Sequence, residues 1–218
     1  MVSKVKISVI IPTYNQKKYI GRCLRSLLDQ SLQKDLYELI VINDGSNDKT
    51  NSVLNLYKKD IKLIINEKNE GLPFSINRGI TSAKGRYVVR VDSDDYVNKE
   101  FLNSLSLFLS QNSKMDAVCC DYYFVDDDEN IIERKNAEKN PIGCAIMFRT
   151  EHLIDLGMYD QTFLAHEDLD LRLRFLKKYK INRIPLPLYR YRKHEANLTK
   201  NQKNMDQYFR RLKSKHKI

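Results

Sequence analysis

Short apolar runs alternate with amphipathic segments through the first half of the chain, and this alternation restricts the folds open to it. The predicted strands, rich in β-branched or aromatic residues, cover 5–11, 39–42, 61–65 and 87–91. Apolar residues at helical spacing predict helices over 19–28, after Thr50, and over 72–83. Strands and helices alternating at this period favour βαβ units. The pattern therefore predicts an α/β fold with a Rossmann-like, mostly parallel central sheet flanked by helices.

The second half of the chain is less regular. Helices are predicted over 101–109, 152–156 and 166–176, and strands over 117–125, 143–148 and 186–191. A hairpin or loop is predicted over 131–140, and the first strand of the chain is expected to stop at Pro12. No internal repeat or low-complexity linker interrupts the sequence. We therefore predict one domain over 1–200 and a basic helical tail over 201–218.

Charge is distributed unevenly along the 218 residues. The chain has 38 Lys and Arg residues against 28 Asp and Glu residues, a net charge of +10. From Arg172 onward it has 16 Lys and Arg residues against Glu195 and Asp206, a net charge of +14, so the preceding part carries −4. This basic excess near the C-terminus predicts a local anionic partner, such as a membrane surface or a phosphate-bearing ligand, rather than nucleic acid.

The cysteine pattern and the hydropathy indicate in which cellular compartment the protein is expected. The four cysteines, Cys23, Cys119, Cys120 and Cys144, show neither Cys-x-x-Cys spacing nor a disulfide-dense pattern. Reduced thiols in a cytoplasmic protein are the simplest account. No apolar run approaches the roughly 20 residues that span a bilayer. Because Pro12 interrupts the short apolar stretch near the start, we expect no signal peptide.

Carboxylates follow two of the predicted parallel strands. Asp44 comes after the second strand. Asp92, Asp94 and Asp95 come after the fourth. An unpaired carboxylate is costly inside a buried strand, so these side chains must lie at the open ends. The carboxyl ends of parallel strands meet at one edge of the sheet, which is where ligands bind in open α/β folds.

These carboxylates suit a nucleotide with its metal. Asp44, beside Gly45, can accept a hydrogen bond from an imide N–H such as that of uracil, and Asp92 can accept from ribose hydroxyls. Asp94 is then available for a divalent metal that bridges two phosphates. The alternative is a set of polar turns, with an Asx turn at Asp44 and helix-capping aspartates after the fourth strand. Helix capping is the role we expect for Asp95.

Five ordered blocks of sequence carry a resemblance to a known family. They are Val9-Ile10-Ile11-Pro12-Thr13-Tyr14-Asn15, Val41-Ile42-Asn43-Asp44-Gly45-Ser46, Asn69-Glu70-Gly71, Val91-Asp92-Ser93-Asp94-Asp95 and His166-Glu167-Asp168-Leu169-Asp170-Leu171. In this order they resemble the family 2 glycosyltransferases, which have the GT-A fold. The resemblance extends from about residue 5 to about residue 199, which is nearly the whole chain.

The resemblance implies an inverting, metal-dependent glycosyltransferase. Such an enzyme moves a hexosyl or N-acetylhexosaminyl group from a nucleotide diphosphate-sugar, here a UDP-sugar, to an acceptor hydroxyl, with Mn²⁺ or Mg²⁺ as cofactor. The implied acceptor is a glycan or lipid-linked glycan in bacterial surface polysaccharide biosynthesis, and the implied architecture adds a smaller mixed region on the acceptor side. The expected location is the cytoplasm.

The resemblance also implies roles for individual residues. They are Pro12, Tyr14 and Asn69 in the base and ribose region, Asp44 on the base, Asp92 on the ribose, Arg78 toward the diphosphate, Asp94 and His194 on the metal, and Asp168 as general base. One position departs from the family pattern. Arginine stands one place later than expected in Ser75-Ile76-Asn77-Arg78, which is a rotation of about 100° around a helix. Whether Arg78 reaches the diphosphate is therefore an open question at this point.

Asp168 has a chemical rationale of its own. Inversion requires in-line attack at the anomeric carbon, so the base must face the acceptor on the side opposite the leaving group. A carboxylate at a helix start is ionised near neutral pH and can act in this way. The alternative is that Asp168 caps the helix while Glu167 and Asp170 are solvated. For His194, the alternative to a metal or phosphate role is a surface histidine in a basic stretch.

Two other functions remain open at this point. A nucleotidyltransferase of related fold would need a glycine-rich, basic loop after the first strand, where this chain has Pro12-Thr13-Tyr14-Asn15. A non-catalytic module that binds nucleotide sugars would share the fold without needing Asp168.

The tail over 201–218 combines apolar and basic residues. Met205, Tyr208, Phe209 and Leu212 stand at helical spacing among lysines and arginines. This pattern predicts peripheral contact with the anionic inner face of the cell membrane. The alternative is a helix that packs on the domain, or a soluble tail.

Overall fold

The computed structural model describes residues 4–195 and 202–218. The boundary that we predicted between domain and tail falls at 200 and lies outside the described residues. The strands are β1 (Ile7–Thr13), β2 (Tyr37–Asn43), β3 (Lys62–Ile65), β4 (Tyr87–Arg90), β5 (Tyr96–Val97), β6 (Ala117–Val125), β7 (Ile131–Lys135), β8 (Ile146–Arg149) and β9 (Ile181–Arg192). The α-helices are α1 (Ile20–Leu28), α2 (Thr50–Leu56), α3 (Leu72–Thr81), α4 (Phe101–Gln111), α5 (Thr150–Asp155), α6 (Glu167–Leu176) and α7 (Gln202–His216).

The N-terminal strands form the parallel part of one sheet, in the order β3-β2-β1-β4. Thr13 at the end of β1 pairs in register with Asn43 at the end of β2, and Asn43 pairs in turn with Ile65 at the end of β3. The carboxyl ends of these strands therefore lie at one edge of the sheet. This confirms the βαβ interpretation of the sequence and brings the loops after β2 and β4 to the same side of the molecule.

The sheet continues as a mixed region on the other side of β4. There β8 runs antiparallel to both β4 and β6, β6 runs parallel to β9, and β5 runs antiparallel to β9. The hairpin expected after β6 is present, with β7 paired antiparallel to β6. The fold is therefore the expected α/β architecture, a curled central sheet with helices and a smaller mixed region.

Apolar strands covered on both faces explain the position of the core. Ile7, Val9, Ile10 and Ile11 of β1 are fully buried, as β-branched residues of a central parallel strand should be. Helix α1 adds Ile20, Cys23, Leu24 and Leu27 from one face, which is the spacing read in the sequence. All four cysteines are free and buried, which agrees with the expectation of reduced thiols.

The first strand does not stop at Pro12, so that expectation is wrong. Pro12 lies within β1 and pairs with Ile42. The amide N–H of Val91 donates to the Ile10 carbonyl oxygen, so the even-numbered residues of β1 direct their backbone groups toward β4. Ladder pairing with β4 ends at Ile10 and Arg90. An N–H at position 12 would point toward β4, but beyond the last paired residue of that strand. Proline at this position therefore costs the sheet no hydrogen bond.

Strand β9 is longer than the predicted 186–191 and contains Pro185 and Pro187. Its pairing with β6 shifts register on either side of Asp121, so irregular steps accommodate the prolines. The consequence is a long strand whose far end brings Arg192 and His194 beside the loop that follows β4.

Helix α7 packs on the domain. Leu212 is fully buried, and Lys215 binds both Asp160, at 2.8 Å, and Asp170, at 2.6 Å. Arg211 donates to the backbone carbonyl oxygen of Thr162 at 2.8 Å. The alternative of a packed helix therefore describes α7 in the structure. Across the two described segments, no helix is long and apolar enough to cross a membrane.

Candidate active site

Asp44 organises the loop that follows β3. Its side chain is 4 % exposed, and its Oδ1 accepts hydrogen bonds from Asn66 Nδ2 at 2.6 Å and from the Glu70 N–H at 2.9 Å. Its Oδ2 accepts from the Gly71 N–H at 2.9 Å. Both oxygens of Asp44 therefore hold this loop in place, and its contact with a base stays a prediction.

Gly45 allows the loop after β3 to pack closely against the backbone that follows Asp44. A Cβ atom at Gly45 would lie 2.5 Å from the backbone carbon of Lys68, and the residue has φ of +67°. Only glycine meets both conditions at low cost.

Of the other residues predicted for the base and ribose region, Asn69 belongs to this loop, while Pro12 and Tyr14 lie at the end of β1. Pro12 is buried, Tyr14 is 40 % exposed and Asn69 is exposed. Between the first two, the hydroxyl oxygen of Thr13 is buried and has no hydrogen-bond partner among the described residues. Sequence reasoning missed Thr13, and an unpartnered buried hydroxyl at the end of β1 fits a site that a ligand completes.

Arg78 is exposed and supports the same loop. Its guanidinium donates to the side-chain oxygen of Asn66 and, at 3.2 Å, to the carbonyl oxygen of Ile65. Because Asn66 also binds Asp44, Arg78 is two hydrogen bonds away from that carboxylate. The structure thus gives Arg78 a contact next to the predicted base site, and a role at the diphosphate stays a prediction.

Asp92 is held by a buried arginine that the sequence interpretation overlooked. Arg90 Nε donates to Asp92 Oδ1 at 2.6 Å and Arg90 Nη2 donates to Oδ2 at 3.1 Å. Arg90 Nη1 donates to Glu167 Oε1 at 3.0 Å. One guanidinium therefore ties the loop after β4 to the start of α6, and it fixes the orientation of the Asp92 carboxylate.

Burial sets the protonation of this network. It raises the pKa of Glu167 to about 7, with the neighbouring Asp168 carboxylate acting in the same direction and Arg90 opposing both. Burial also raises the pKa of Asp92, against the attraction of Arg90. The alternative in which Glu167 and Asp170 are solvated is wrong, since both are buried.

Asp94 and His194, the two predicted metal ligands, are in contact. Nε2 of His194 lies 2.9 Å from Oδ2 of Asp94, and the imidazole lies against the Tyr19 ring with 4.9 Å between centroids. His194 is 8 % exposed, so it is not the surface histidine of the alternative interpretation. A carboxylate oxygen and an imidazole nitrogen are donors that Mn²⁺ accepts, and this pair fits the implied metal.

A second group of potential ligand atoms fits a cation less well. Atoms of Asp92, Asp95 and Cys144 lie within 4.8 Å of one another. The Asp92 oxygens are bound to Arg90, and burial raises the pKa of Cys144 well above its usual range, so that residue is a thiol. A thiol and a carboxylate bound to a guanidinium are poor ligands for Mn²⁺ or Mg²⁺, so this second group fits the implied metal less well than the predicted pair.

Asp95 is not a helix cap, contrary to our expectation. It is buried, and its Oδ2 accepts from the Tyr189 hydroxyl at 2.6 Å while its Oδ1 accepts from the Arg192 N–H at 2.7 Å. Helix α4 begins only at Phe101. Burial raises the pKa of Asp95 well above its usual range, with the carboxylates of Asp94 and Asp92 adding to the effect. Asp95 thus anchors β9 beside the loop that carries Asp94.

Asp168 lies in the first turn of α6, and its side chain does not cap that helix from the N-cap position, which His166 occupies. Asp168 Oδ1 accepts from the Leu169 N–H at 2.8 Å. A Cβ atom at Gly143 would lie 2.6 Å from Asp168 Cβ and 2.9 Å from its Oδ2, so the missing side chain of Gly143 makes room for the carboxylate. Asp168 lines a cavity of about 220 Å³.

A larger cavity lies on the side of His194. Its volume is about 790 Å³, and its aromatic lining is contributed by Tyr122, Phe124 and Tyr191. The two cavities share only Pro141 and Ile142 among their lining residues. His194 and Asp168 thus line two cavities that both border this segment.

The chain has the architecture of the GT-A fold class. The sequence model of the family "Glycosyl transferase family 2" matches residues 8–172. The chain belongs to this family, and the resemblance read from its five motif blocks is confirmed.

Curated relatives match about half of the chain. The poly(ribitol-phosphate) beta-N-acetylglucosaminyltransferase TarS of Staphylococcus aureus is 39 % identical over 111 residues, which are 50 % of this chain and 19 % of TarS. The poly(ribitol-phosphate) beta-glucosyltransferase of Bacillus spizizenii is 40 % identical over 114 residues, 50 % of this chain and 18 % of the relative. The chain thus spans less than a fifth of the length of these relatives.

Solved structures of glycosyltransferases share the fold. A TarS fragment in complex with UDP-GlcNAc superposes with a TM-score of 0.79 at 24 % identity, covering 96 % of this chain and 66 % of that one. The mannosyltransferase PcManGT of Pyrobaculum calidifontis, in complex with GDP-Man and Mn²⁺, gives a TM-score of 0.76 at 17 % identity, covering 96 % and 63 %. The predicted GT-A fold is therefore confirmed.

Proposed function

We propose that the protein is an inverting, metal-dependent glycosyltransferase that moves a sugar from a UDP-sugar to a hydroxyl group of a bacterial surface glycan. The observation that carries this proposal is the separation of two polar sites. Asp94 and His194 are paired at 2.9 Å beside the larger cavity, and Asp168 lines the smaller one. Inverting transfer needs two such sites, because the base acts on the face of the sugar opposite the leaving group.

The donor would lie along the carboxyl edge of the parallel strands. The loop held by Asp44, with Asn69 and the arginine Arg78 nearby, offers a surface to the base, and Pro12 and Tyr14 border it. Asp92, oriented by Arg90, accepts hydrogen bonds from the ribose hydroxyls. A divalent cation bound by Asp94 and His194 would neutralise charge on the departing diphosphate.

Asp168 would take the proton of the acceptor hydroxyl as the oxygen attacks the anomeric carbon. Arg90 holds Glu167, the residue before Asp168, at 3.0 Å, and Asp92 at 2.6 Å. The base and the ribose-binding carboxylate are therefore connected through one rigid guanidinium. This link would hold their spacing within the narrow range that in-line attack requires.

The family relationship and the names of the relatives support the substrate class. Curated relatives act on poly(ribitol-phosphate), and a solved neighbour is in complex with UDP-GlcNAc. We infer a UDP-sugar donor and an acceptor in a bacterial surface polymer for this chain. We further propose that it works in the cytoplasm, with the exposed basic residues of α7 available for peripheral contact with the membrane.

The test is the pair of variants Asp168→Asn and Asp60→Asn. UDP-GlcNAc with Mn²⁺ is the first donor to assay, followed by other nucleotide sugars. Asp168→Asn should bind donor as the parent does while transfer falls by roughly 10²–10⁴-fold, the range for loss of a general base. Asp60 is exposed, and its substitution should leave both measurements unchanged. Transfer by Asp168→Asn at the parent rate would refute the role of Asp168 as base.

A further inference from the structure

Arg172 places a cationic group in the same cavity as Asp168. The two residues stand four positions apart on α6, so they lie on the same face of the helix. Both line the smaller cavity, and Arg172 is the one lysine or arginine among the described residues that line it. This cavity therefore contains one negative and one positive side chain.

One nitrogen of the Arg172 guanidinium lacks, among the described residues, the kind of partner that Arg90 and Arg174 have. Its Nη1 atom is buried and has no hydrogen-bond partner in the described parts of the chain. By contrast, Arg90 binds two carboxylates, and Arg174 binds Asp170 at 2.9 Å together with two backbone carbonyl oxygens. A buried charged donor without a partner is costly, and a bound ligand that accepts from it would recover that cost.

The arrangement of charges selects the kind of ligand. A guanidinium binds oxyanions in preference to neutral groups, because its N–H donors match their oxygens. Asp168 needs a hydroxyl group, from which it takes a proton. Four helical residues span about 6 Å along the axis, so the two side chains suit a ligand whose hydroxyl and oxyanion are separated by about that distance.

The diphosphate of the donor is not this oxyanion. Its leaving-group charge is assigned to Asp94 and His194, and His194 lines the other cavity. The anion at Arg172 must therefore belong to the acceptor. The apolar remainder of the wall, which includes Ile142, Phe148 and Leu171, would lower the local dielectric and strengthen that contact.

We propose that Arg172 binds an oxyanion of the acceptor, a phosphodiester or a carboxylate, close to the hydroxyl that Asp168 activates. This inference rests on the proposed glycosyltransferase function and narrows its acceptor to an anionic polymer. Arg172 thereby determines acceptor specificity and takes no proton in the reaction.

The experiment measures acceptor binding to the whole protein saturated with UDP and Mn²⁺. The probes are a glycerol phosphate oligomer, a glucuronate-containing oligosaccharide and a neutral oligosaccharide of similar length. Calorimetry measures the affinity of the protein for each probe. The parent should bind at least one anionic probe roughly tenfold more tightly than the neutral one, as expected for a charge-assisted hydrogen bond. The anionic probe that is preferred identifies the source of the oxyanion.

Three variants complete the test. Arg172→Gln should bind anionic and neutral probes within about twofold of each other, and Arg172→Lys should keep part of the preference because it keeps the charge. Arg86→Gln removes an exposed arginine outside both cavities and should keep the full preference. Circular dichroism shows whether each variant is folded.

Two results would overturn the inference. One is a parent protein that binds neither anionic probe more tightly than the neutral one, and the other is an Arg172→Gln variant that keeps the preference. Failure of the parent to bind UDP under any metal condition would instead contradict the proposed function. The UDP titration that precedes each acceptor titration therefore separates the two failures.

Discussion

Nε2 of His194 lies 2.9 Å from Oδ2 of Asp94, although 100 positions separate the two residues in the chain. The contact depends on β9, whose last residues bind the loop after β4 through Asp95. A histidine for which a surface position was the alternative interpretation thus contacts the predicted metal ligand.

Metal dependence should follow from this pair. Replacing Asp94 by Asn removes the charged oxygen, so we expect Mn²⁺-dependent binding of UDP to weaken by at least roughly 10–100-fold, the range seen when even an outer partner of a metal ligand is lost. Chelation should abolish donor turnover by the parent. Calorimetric titration of UDP at several Mn²⁺ concentrations measures the effect.

Asp128→Asn is the matched control for that measurement, because Asp128 is exposed in the nearby loop after β6. It should keep the metal dependence of the parent. An Asp94→Asn variant with unchanged Mn²⁺ dependence would show that the metal lies elsewhere.

The close approach of Gly143 to Asp168 gives a prediction about catalysis. Gly143→Ala would place a methyl group 2.6 Å from Asp168 Cβ and must displace the carboxylate. A displacement near 1 Å can cost about 10²-fold in rate, so transfer should fall by about that factor while UDP binding changes little. Initial rates at saturating donor test this.

Gly21→Ala provides the comparison for the same substitution. There the new Cβ atom would first meet Arg25 Nη1, at 3.3 Å, and this end of a flexible side chain can move away. Its transfer rate should equal that of the parent. If Gly143→Ala also transfers at the parent rate, the packing of Gly143 does not fix the position of Asp168.

Stability should depend on pH through Glu167. Burial raises the pKa of Glu167 in the folded protein from 4.5 to about 7. The folded state therefore binds more protons than the unfolded state between these values, and the free energy of unfolding falls as pH rises through that window. The full shift corresponds to a loss of about 3 kcal/mol between pH 4.5 and pH 7.5.

Urea unfolding at pH 5 and pH 7.5 isolates this contribution. Glu167→Gln cannot ionise, so its stability should fall less over the interval than that of the parent. Glu138→Gln, at an exposed position, should behave like the parent. Equal changes for the parent and Glu167→Gln would mean that Glu167 does not titrate in this range.

The packing of α7 predicts that the tail contributes to stability. Leu212 is fully buried, so Leu212→Ala should lower the free energy of unfolding by about 2–4 kcal/mol. Leu56 is 80 % exposed, and the same substitution there should change stability by less than about 0.5 kcal/mol. Chemical unfolding of both variants measures the difference, and equal effects would contradict the packed position of α7.

The membrane hypothesis for the tail has a separate test. Arg211 and Lys215 bind groups of the domain, whereas Arg210, Lys213 and Lys217 are exposed basic residues in the described part of the tail. Each exposed charge near an anionic surface contributes about 1 kcal/mol. Co-sedimentation with anionic liposomes should therefore be weak, should fall with added salt, and should be lost when these three are changed to Gln. Equal co-sedimentation of that variant and the parent would refute membrane contact through the tail.

The sequence was sufficient for features that depend on local periodicity. The apolar runs before Asp44 and Asp92 predicted parallel strands, and parallel strands bring those residues to one edge of the sheet. Asp95, Arg90 and Glu167 were assigned no site role, or the wrong one, because their partners lie far along the chain. Arg90 and Glu167 are 77 positions apart, and local periodicity does not indicate contacts between residues so far apart in the chain. One signal was available, since a lone arginine in an apolar strand must have a partner if it is buried.

The parallel pairing of β6 with β9 has a consequence for the nascent chain. A growing polypeptide that has been synthesised only through α4 already contains β1 to β4 and can place Asp44 and Asp92 at the sheet edge. It contains neither Asp168 nor His194, and β9 must be made before β6 has its parallel neighbour. Contacts of such long sequence separation form late and slowly. We therefore expect the ability to bind nucleotide to appear only after β9 has been synthesised and has paired with β6.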